Sequence, residues 1–103
     1  MLQTQELKEC SFLVYGLGST GISVIKFFNE NKIKNFKVWD DNQKNLFKNY
    51  KTNNLIQTLN KVDYVVLSPG VSLIKNKKLK KFKDKIITDI DLFYLIKKKI
   101  KTV

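Results

Sequence analysis

Short apolar runs alternate along this chain with segments whose apolar residues recur at helical spacing. Residues 12–15, 36–39 and 62–67 have the length and composition of buried strands. The third run stops at the Ser-Pro-Gly sequence of residues 68–70, because proline cannot donate to a sheet and glycine favours turns. Residues 86–87 predict a brief fourth strand.

Apolar residues at helical spacing predict helices between these strands. The first begins at Thr20 and stops near residues 29–31, and a short second helix is predicted around residues 46–50. A lysine-rich helix is predicted over residues 75–85, whereas residues 55–59 fit either a helix or a strand. The apolar positions behind these predictions are Ile22, Ile25, Phe28, Leu46, Phe47, Tyr50, Ile74, Leu79 and Phe82.

A last helix is predicted after the fourth strand, with Thr88 or Asp89 as its cap. Strands that alternate with helical crossovers form parallel sheets covered by helices on both faces. The sequence therefore predicts an α/β, Rossmann-like sheet of four to five strands in a single domain over residues 1–103. The apolar positions of the last helix are Leu92, Phe93, Leu95 and Ile96.

The formal charge of +11 raises the question of a nucleic-acid partner. All 20 basic residues are lysine. Arginine is the residue preferred for guanine edges and phosphates, because its guanidinium group donates two parallel hydrogen bonds to them. Seven lysines lie in residues 75–85, but apolar residues at helical spacing run through the same segment. We therefore interpret the segment as a solvated helix face rather than a nucleic-acid or membrane surface.

Composition also limits location and chemistry. No apolar stretch approaches the roughly 20 residues needed to cross a bilayer, and the polar N-terminus differs from a secretory signal. A cytoplasmic protein without membrane insertion is therefore expected.

Cys10 is the one cysteine and the sequence has no histidine, which excludes an internal disulfide and the ordinary zinc ligand sets. We expect Cys10 to be a small residue leading into the first strand.

The sequence Gly-Leu-Gly-Ser-Thr-Gly that begins at Gly16 fits the G-x-G-x-x-G pattern between a predicted strand and a predicted helix. Gly16 permits a sharp turn, Gly18 lets a diphosphate approach the backbone, and Gly21 lets the helix pack closely on the sheet. The backbone amides of Ser19, Thr20 and Gly21 would then point at the anion. The alternative is a glycine turn that serves only to pack the helix against the sheet and binds no ligand.

Two further loops are predicted at the same edge of the sheet. Asp40 ends the second strand 19 positions after Gly21, where Rossmann domains place a carboxylate that can accept a hydrogen bond from a ribose hydroxyl or a base. The third strand is followed by a loop that contributes Ser68, Pro69, Gly70 and Val71. Because the carboxyl ends of parallel strands meet at one edge, the three loops should converge on a ligand crevice.

These motifs together resemble the Mur ligase family of peptidoglycan synthesis, and within it the first domain of members that add D-glutamate. The resemblance rests on the glycine motif with the Ile-Ser pair after it, the strand that ends at Asp40, the Leu-Ser-Pro-Gly-Val of residues 67–71, and the Asp-Ile-Asp-Leu-Phe of residues 89–93. It covers nearly the whole chain.

The resemblance implies an N-terminal domain that binds the UDP part of UDP-N-acetylmuramoyl-L-alanine and works with further ligase domains. It places Ser19 and Thr20 at the diphosphate and Asp40 and Asp41 at the uracil. The sugar-diphosphate portion would lie along Ser68, Pro69, Gly70 and Val71.

Two positions depart from the family pattern. Asn42 stands where many members carry an arginine, which puts a stacking cation on the uracil in doubt, and Thr88 stands where glycine is frequent. The sequence also has no G-x-x-x-x-G-K-[ST] motif, so the family's ATP and Mg²⁺ are expected in a central domain outside these residues. No catalytic residue, cofactor or metal is expected in this domain, and the parent reading frame is expected to continue after Val103 into a P-loop.

Three other functions are compatible with parts of the pattern. The glycines and Asp40 also suit the NAD-binding domain of an oxidoreductase. A small regulatory nucleotide-sensing module would share the fold but form a ligand-sensitive dimer. A lysine-rich nucleic-acid binder would associate with DNA or RNA in a steeply salt-dependent way.

Overall fold

Four parallel strands form one sheet in the computed structural model, which describes residues 9–41, 47–68 and 77–92. The strands follow the order β2-β1-β3-β4 across the sheet, and the three pairings between neighbours are parallel. The predicted α/β, Rossmann-like class is confirmed. The strands are β1 (Phe12–Tyr15), β2 (Phe36–Trp39), β3 (Tyr64–Leu67) and β4 (Ile86–Ile87).

The strand order places the topological switch point between β1 and β3. The chain leaves β1 through a helix to reach β2 on one side, and it then returns to form β3 on the other side of β1. Open parallel sheets bind ligands at the carboxyl edge beside such a switch point. The central position of β1 explains its uninterrupted apolar sequence, because all of its residues are buried.

Helices lie between the strands, and a further helical segment at residues 89–92 reaches the end of the described part. The first helix begins at Ser19 and ends at Glu30, close to its predicted bounds. The bounded α-helices are α1 (Ser19–Glu30), α2 (Leu55–Lys61) and α3 (Lys77–Lys80), and the 3-10 helices are η1 (Lys48–Tyr50) and η2 (Lys83–Lys85).

Two apolar clusters cover opposite faces of the sheet, because alternate residues of a strand point in opposite directions. On one face Phe12 and Val14 of β1 pack with Val24, Ile25 and Phe28 of α1. Helices on both faces, as predicted, therefore bury the sheet. The buried members on the other face, which include residues of α2 and α3, are Leu13, Tyr15, Leu59, Val62, Val65, Leu67 and Leu79.

Both ends of α2 are capped by side chains. At its start the Asn54 Oδ1 accepts a hydrogen bond from the Gln57 amide at 3.0 Å. At its end the Lys85 Nζ donates to the carbonyl oxygens of Leu59 and Val62, each at 2.8 Å. An ammonium group at this position satisfies carbonyls that have no helical partner and complements the helix dipole.

Thr88 is the cap of the helical segment that follows β4. Its Oγ1 accepts a hydrogen bond from the Asp91 amide at 3.1 Å, and the Asp91 carboxylate accepts one from the Thr88 amide at 3.1 Å. This reciprocal pair is a capping box, which decides between the two caps proposed from the sequence.

The structure changes three details of the predicted elements. Residues 55–59, which fitted two alternatives, belong to α2, and Val62 follows that helix in extended geometry, so β3 begins only at Tyr64. Within residues 75–85 the described helix is α3, four residues long, and η2 then turns the chain into β4. The short helix predicted around residues 46–50 is a 3-10 turn because its described hydrogen bonds span three residues.

Other predictions are confirmed or lie outside the described residues. Leu79 is buried and Phe82 packs against the same cluster, as expected for the apolar side of the lysine-rich segment. Cys10 leads into β1 and packs at the edge of the cluster around α1. Within the part of the chain that the structure describes, no helix is long and apolar enough to cross a membrane. The predicted core residues outside the described ranges are Leu46, Ile74, Phe93, Leu95 and Ile96.

Candidate functional site

The glycine loop after β1 is built as its spacing predicts. Gly16 has a φ of 99°, in the region that L-residues with a side chain avoid, and its amide donates to the Trp39 carbonyl at 2.8 Å. A Cβ on Gly21 would lie 2.0 Å from the Gly16 carbonyl oxygen. Gly16 therefore permits the turn, and Gly21 permits α1 to begin directly against that turn.

Gly18 has a different role from its two neighbours in the motif. It is exposed and caps α1 with a φ of −75° and a ψ of −168°, a conformation open to any residue. A Cβ there would meet no atom of the described residues within 4 Å. The backbone conformation does not require glycine, so the open space beside Gly18 is the feature that a side chain would alter.

The start of α1 is suited to an anion. The helix has 12 residues, and no side chain of the described part caps its N-terminus. Ser19 is exposed and Thr20 half-buried, and with Gly21 they form the first turn, whose amides lack partners within a helix. Backbone N–H groups and the positive end of the helix dipole therefore face the open space beside Gly18.

Asp40 braces the glycine loop. Its Oδ2 accepts a hydrogen bond from the Leu17 amide at 2.6 Å, which links the loop after β2 to the loop after β1. The carboxylate lies at the edge of the sheet, as predicted, but its described partner is a backbone amide. The structure adds a role in fixing the backbone that a ligand would approach.

Asp41 connects the end of β1 with the end of β2 through its side chain. Its two carboxylate oxygens accept hydrogen bonds from the Tyr15 hydroxyl at 2.9 Å and from the Trp39 indole Nε1 at 3.0 Å. Tyr15 and Trp39 are partners in the parallel register, so both side chains leave the sheet on one face.

Ser68 connects the third loop to the first. Its Oγ donates to the Gly16 carbonyl oxygen at 3.0 Å, and its amide donates to the Tyr15 carbonyl at 3.2 Å. Gly16 is thus hydrogen-bonded to Trp39 of β2 through its amide and to Ser68 through its carbonyl oxygen. The predicted convergence of the three loops is confirmed for the described residues.

The remaining predicted site residues lie outside the described part of the chain. These residues are Pro69, Gly70 and Val71, together with Asn42.

Sequence reasoning missed three residues of this edge, namely Tyr15, Leu17 and Trp39. A signal was present for two of them, because Tyr15 and Trp39 end adjacent strands and each carries a polar tip that needs a partner when buried. Leu17 contributes only a backbone amide, so its side chain gave no indication of its role.

Comparison with known proteins identifies the family. Residues 10–90 match the family described as Mur ligase MurD-like, N-terminal domain. A UDP-N-acetylmuramoylalanine–D-glutamate ligase of Francisella tularensis subsp. tularensis (strain WY96-3418) is 40% identical over 92 residues, which cover 84% of this chain and 19% of the relative. The ligase of the same name from Rickettsia prowazekii (strain Madrid E) is 40% identical over 100 residues, which cover 87% of this chain and 22% of that relative.

The chain spans about a fifth of the length of these two relatives. The matched part contains the glycine loop, Asp40, Asp41 and Ser68, and thus every described residue of the crevice. This chain belongs to the Mur ligase family, as a MurD-like N-terminal domain.

Proposed function

We propose that this domain binds the uridine diphosphate part of UDP-N-acetylmuramoyl-L-alanine, in an ATP-dependent ligase that adds D-glutamate during peptidoglycan synthesis. Relatives that carry the same domain are named for ligation of D-glutamate to that nucleotide. The proposed contacts are the amides of Ser19, Thr20 and Gly21 for the diphosphate and the loop at Asp40 for the uracil or ribose.

The observation that carries the proposal is the open start of α1 beside Gly18. A diphosphate is dianionic or more, and it gains most where backbone amides and a helix dipole point into space that no side chain of the described residues fills. The hydrogen bonds from Gly16 to the end of β2 and from Leu17 to Asp40 hold that loop in place before any ligand arrives.

The choice of UDP over NAD rests on the family of this domain and not on the geometry of Asp40. In dinucleotide-binding Rossmann domains the acidic residue after the second strand reaches outward to the ribose hydroxyls. Here its Oδ2 turns back to the Leu17 amide at 2.6 Å. The same bond would constrain the carboxylate in either site, whereas the relatives that carry this domain are named for a UDP-linked substrate.

ATP and Mg²⁺ would act elsewhere in such a ligase. The sequence of this chain lacks the glycine-rich phosphate loop with Lys-Ser or Lys-Thr, so we assign the ATP chemistry to another domain. The cytoplasmic location expected from the sequence stays a prediction.

The proposal predicts selective binding of uridine diphosphate. We expect UDP to shift the backbone amide signals of residues 16–21 and 40–41 in NMR titrations of the chain, and to bind more tightly than UMP, NAD or ATP. Binding should be weak, because a single domain covers only part of the nucleotide. Replacing Asp40 with alanine should lower the affinity for UDP by on the order of 1–3 kcal/mol, since the uracil or ribose loses a hydrogen-bond acceptor and the glycine loop that holds the diphosphate loses its brace.

Asp84→Ala is the matched control, because Asp84 is an exposed carboxylate in η2, an element away from the crevice. This variant should bind UDP as the parent chain does. Tighter binding of NAD than of UDP, or shifts confined to residues 77–85, would contradict the proposed ligand.

A further inference from the structure

The carboxylate of Asp41 is engaged within the protein, although the family resemblance assigned it to the uracil. One oxygen accepts from Tyr15 and the other from Trp39. Tyr15 is only 1% exposed, so its hydroxyl depends on a protein partner. A carboxylate held by one donor on each oxygen has a fixed orientation, and its partners at the ends of β1 and β2 point to a different role.

Asp40 and Asp41 act on opposite sides of one short segment. Asp40 reaches the Leu17 amide in the glycine loop, and Asp41 reaches back to the ends of β1 and β2. Adjacent side chains bonded on both sides fix the direction of the peptide between them. The 2.6 Å bond to Leu17 is sensitive to that direction, because hydrogen bonds weaken steeply when distance or angle changes.

We propose that Asp41 is a positioning residue, which uses Tyr15 and Trp39 to set the orientation of Asp40 and, through it, of the glycine loop. We call the three side chains of Asp41, Tyr15 and Trp39 the Asp41 bridge. The effect on UDP rests on the proposed function, whereas the effect on the loop does not. Asp41 then contributes to nucleotide affinity without touching the nucleotide.

The first test measures hydrogen exchange of the Leu17 amide in the ligand-free chain of 103 residues. We expect Asp41→Ala and Tyr15→Phe each to speed this exchange by about three- to tenfold, the range set by the loss of one or two hydrogen bonds. Tyr15→Phe removes a single oxygen from a buried ring and keeps the packing, so it serves where the alanine variant fails to fold. Unchanged Leu17 exchange in the phenylalanine variant would overturn the proposal.

Asp63→Ala is the control for a merely structural carboxylate. Asp63 accepts hydrogen bonds from the Ser11 amide and hydroxyl, at the opposite, amino-terminal edge of the same sheet. This variant should lower the melting temperature while Leu17 exchange keeps the rate of the parent chain. Equal acceleration in Asp63→Ala would mean that the bridge acts only through overall stability, which also overturns the proposal.

The second test measures UDP affinity in the same variants. Tyr15→Phe and Asp41→Ala should both weaken UDP binding, and the double variant should be no weaker than Asp41→Ala alone, because both changes break one linked network. Weaker binding in Asp41→Ala alone, with Tyr15→Phe like the parent, would assign Asp41 to the ligand and overturn the positioning role. A parent chain that does not bind UDP would contradict the proposed function, and Leu17 exchange would still decide on the bridge.

Discussion

At the scale of single residues, the glycines of the loop after β1 lack side chains for separable physical reasons. Gly16 needs its positive φ, and Gly21 needs the absence of a Cβ beside the Gly16 carbonyl. Gly18 needs neither, since its backbone is ordinary and a Cβ there would meet none of the described residues within 4 Å. Two glycines of the motif, Gly16 and Gly21, are therefore required for folding. By our proposal the third, Gly18, lets the ligand reach the backbone.

Replacing Gly18 and Gly21 with alanine should separate these roles. Gly21→Ala forces a methyl group against a backbone carbonyl, and we expect it to lower the free energy of unfolding by about 1–3 kcal/mol, as overpacking does. Gly18→Ala should cost less than about 1 kcal/mol, the usual penalty of alanine at an N-cap. It should nevertheless weaken UDP binding by roughly tenfold, because the methyl group occupies the diphosphate's approach.

Urea denaturation and a UDP titration of both variants provide the measurements. Gly18→Val should weaken binding further than Gly18→Ala, since a branched side chain fills more of the same space. A Gly18→Ala variant that binds UDP like the parent chain would show that the diphosphate lies elsewhere.

At the scale of elements, a lysine connects α2 to the segment before β4. The Lys85 ammonium donates to three carbonyls at the end of α2, those of Leu59, Asn60 and Val62, and it lies 5.7 Å from the centre of the Phe82 ring. This lysine therefore belongs to the folded structure, although composition alone made it one of many solvated charges.

Lys85→Met keeps the length of the side chain and removes its donors. We expect it to lower the free energy of unfolding by about 1–2 kcal/mol, because carbonyls at a helix end lose a charged partner that is still partly in contact with water. Lys83→Met is the matched control, since Lys83 lies in the same 3-10 helix and is exposed. Its stability should stay within about 0.5 kcal/mol of the parent chain in thermal or urea unfolding. Equal losses in the two variants would refute the capping role.

The elements that the sequence predicted well are those in which local pattern and burial agree. β1, β2 and α1 were located within a residue or so, because apolar runs and helical spacing report directly on which side of an element is buried. The extent of the lysine-rich helix was wrong in its described part, since a periodic pattern does not distinguish an α-helix from short helical turns joined in series.

The sequence predicted which loops form the site but not the hydrogen bonds between them. Glycine spacing and the strand-end positions located the loops that carry Asp40 and Ser68. The partners of those side chains were not predictable, because a hydrogen bond between Asp40 and the Leu17 amide depends on the relative placement of two loops from different strands. The same holds for the link from Tyr15 to Asp41, which spans 26 positions of sequence.

At the scale of the whole molecule, the positive charge is distributed over many elements. Exposed lysines lie on α1, on the turn after it, on β2, on α2 and on the segment that contains α3 and η2. Lys37 projects from β2, an edge strand, where an exposed charge discourages pairing with another chain. Exposed lysines therefore lie on several elements of the described part, and the interpretation of residues 75–85 as a solvated helix face stays a prediction.

The last prediction concerns catalysis by the chain as it stands. Transfer of a phosphoryl group from ATP requires a cradle of backbone amides around the β- and γ-phosphates, a lysine and a bound Mg²⁺. The sequence contains four glycines, and none of them begins a phosphate loop with Lys-Ser or Lys-Thr at the required spacing. The purified chain with ATP, Mg²⁺, D-glutamate and UDP-N-acetylmuramoyl-L-alanine should therefore release phosphate at the background rate while still binding UDP.

The control separates this chain from a contaminating ATPase. The Gly21→Ala variant should lose much of its stability, whereas the activity of a contaminant would not change with the stability of this chain. Phosphate release that survives repurification and falls in parallel with the unfolding of Gly21→Ala would place ATP chemistry in these 103 residues and contradict the assignment of that step to another domain.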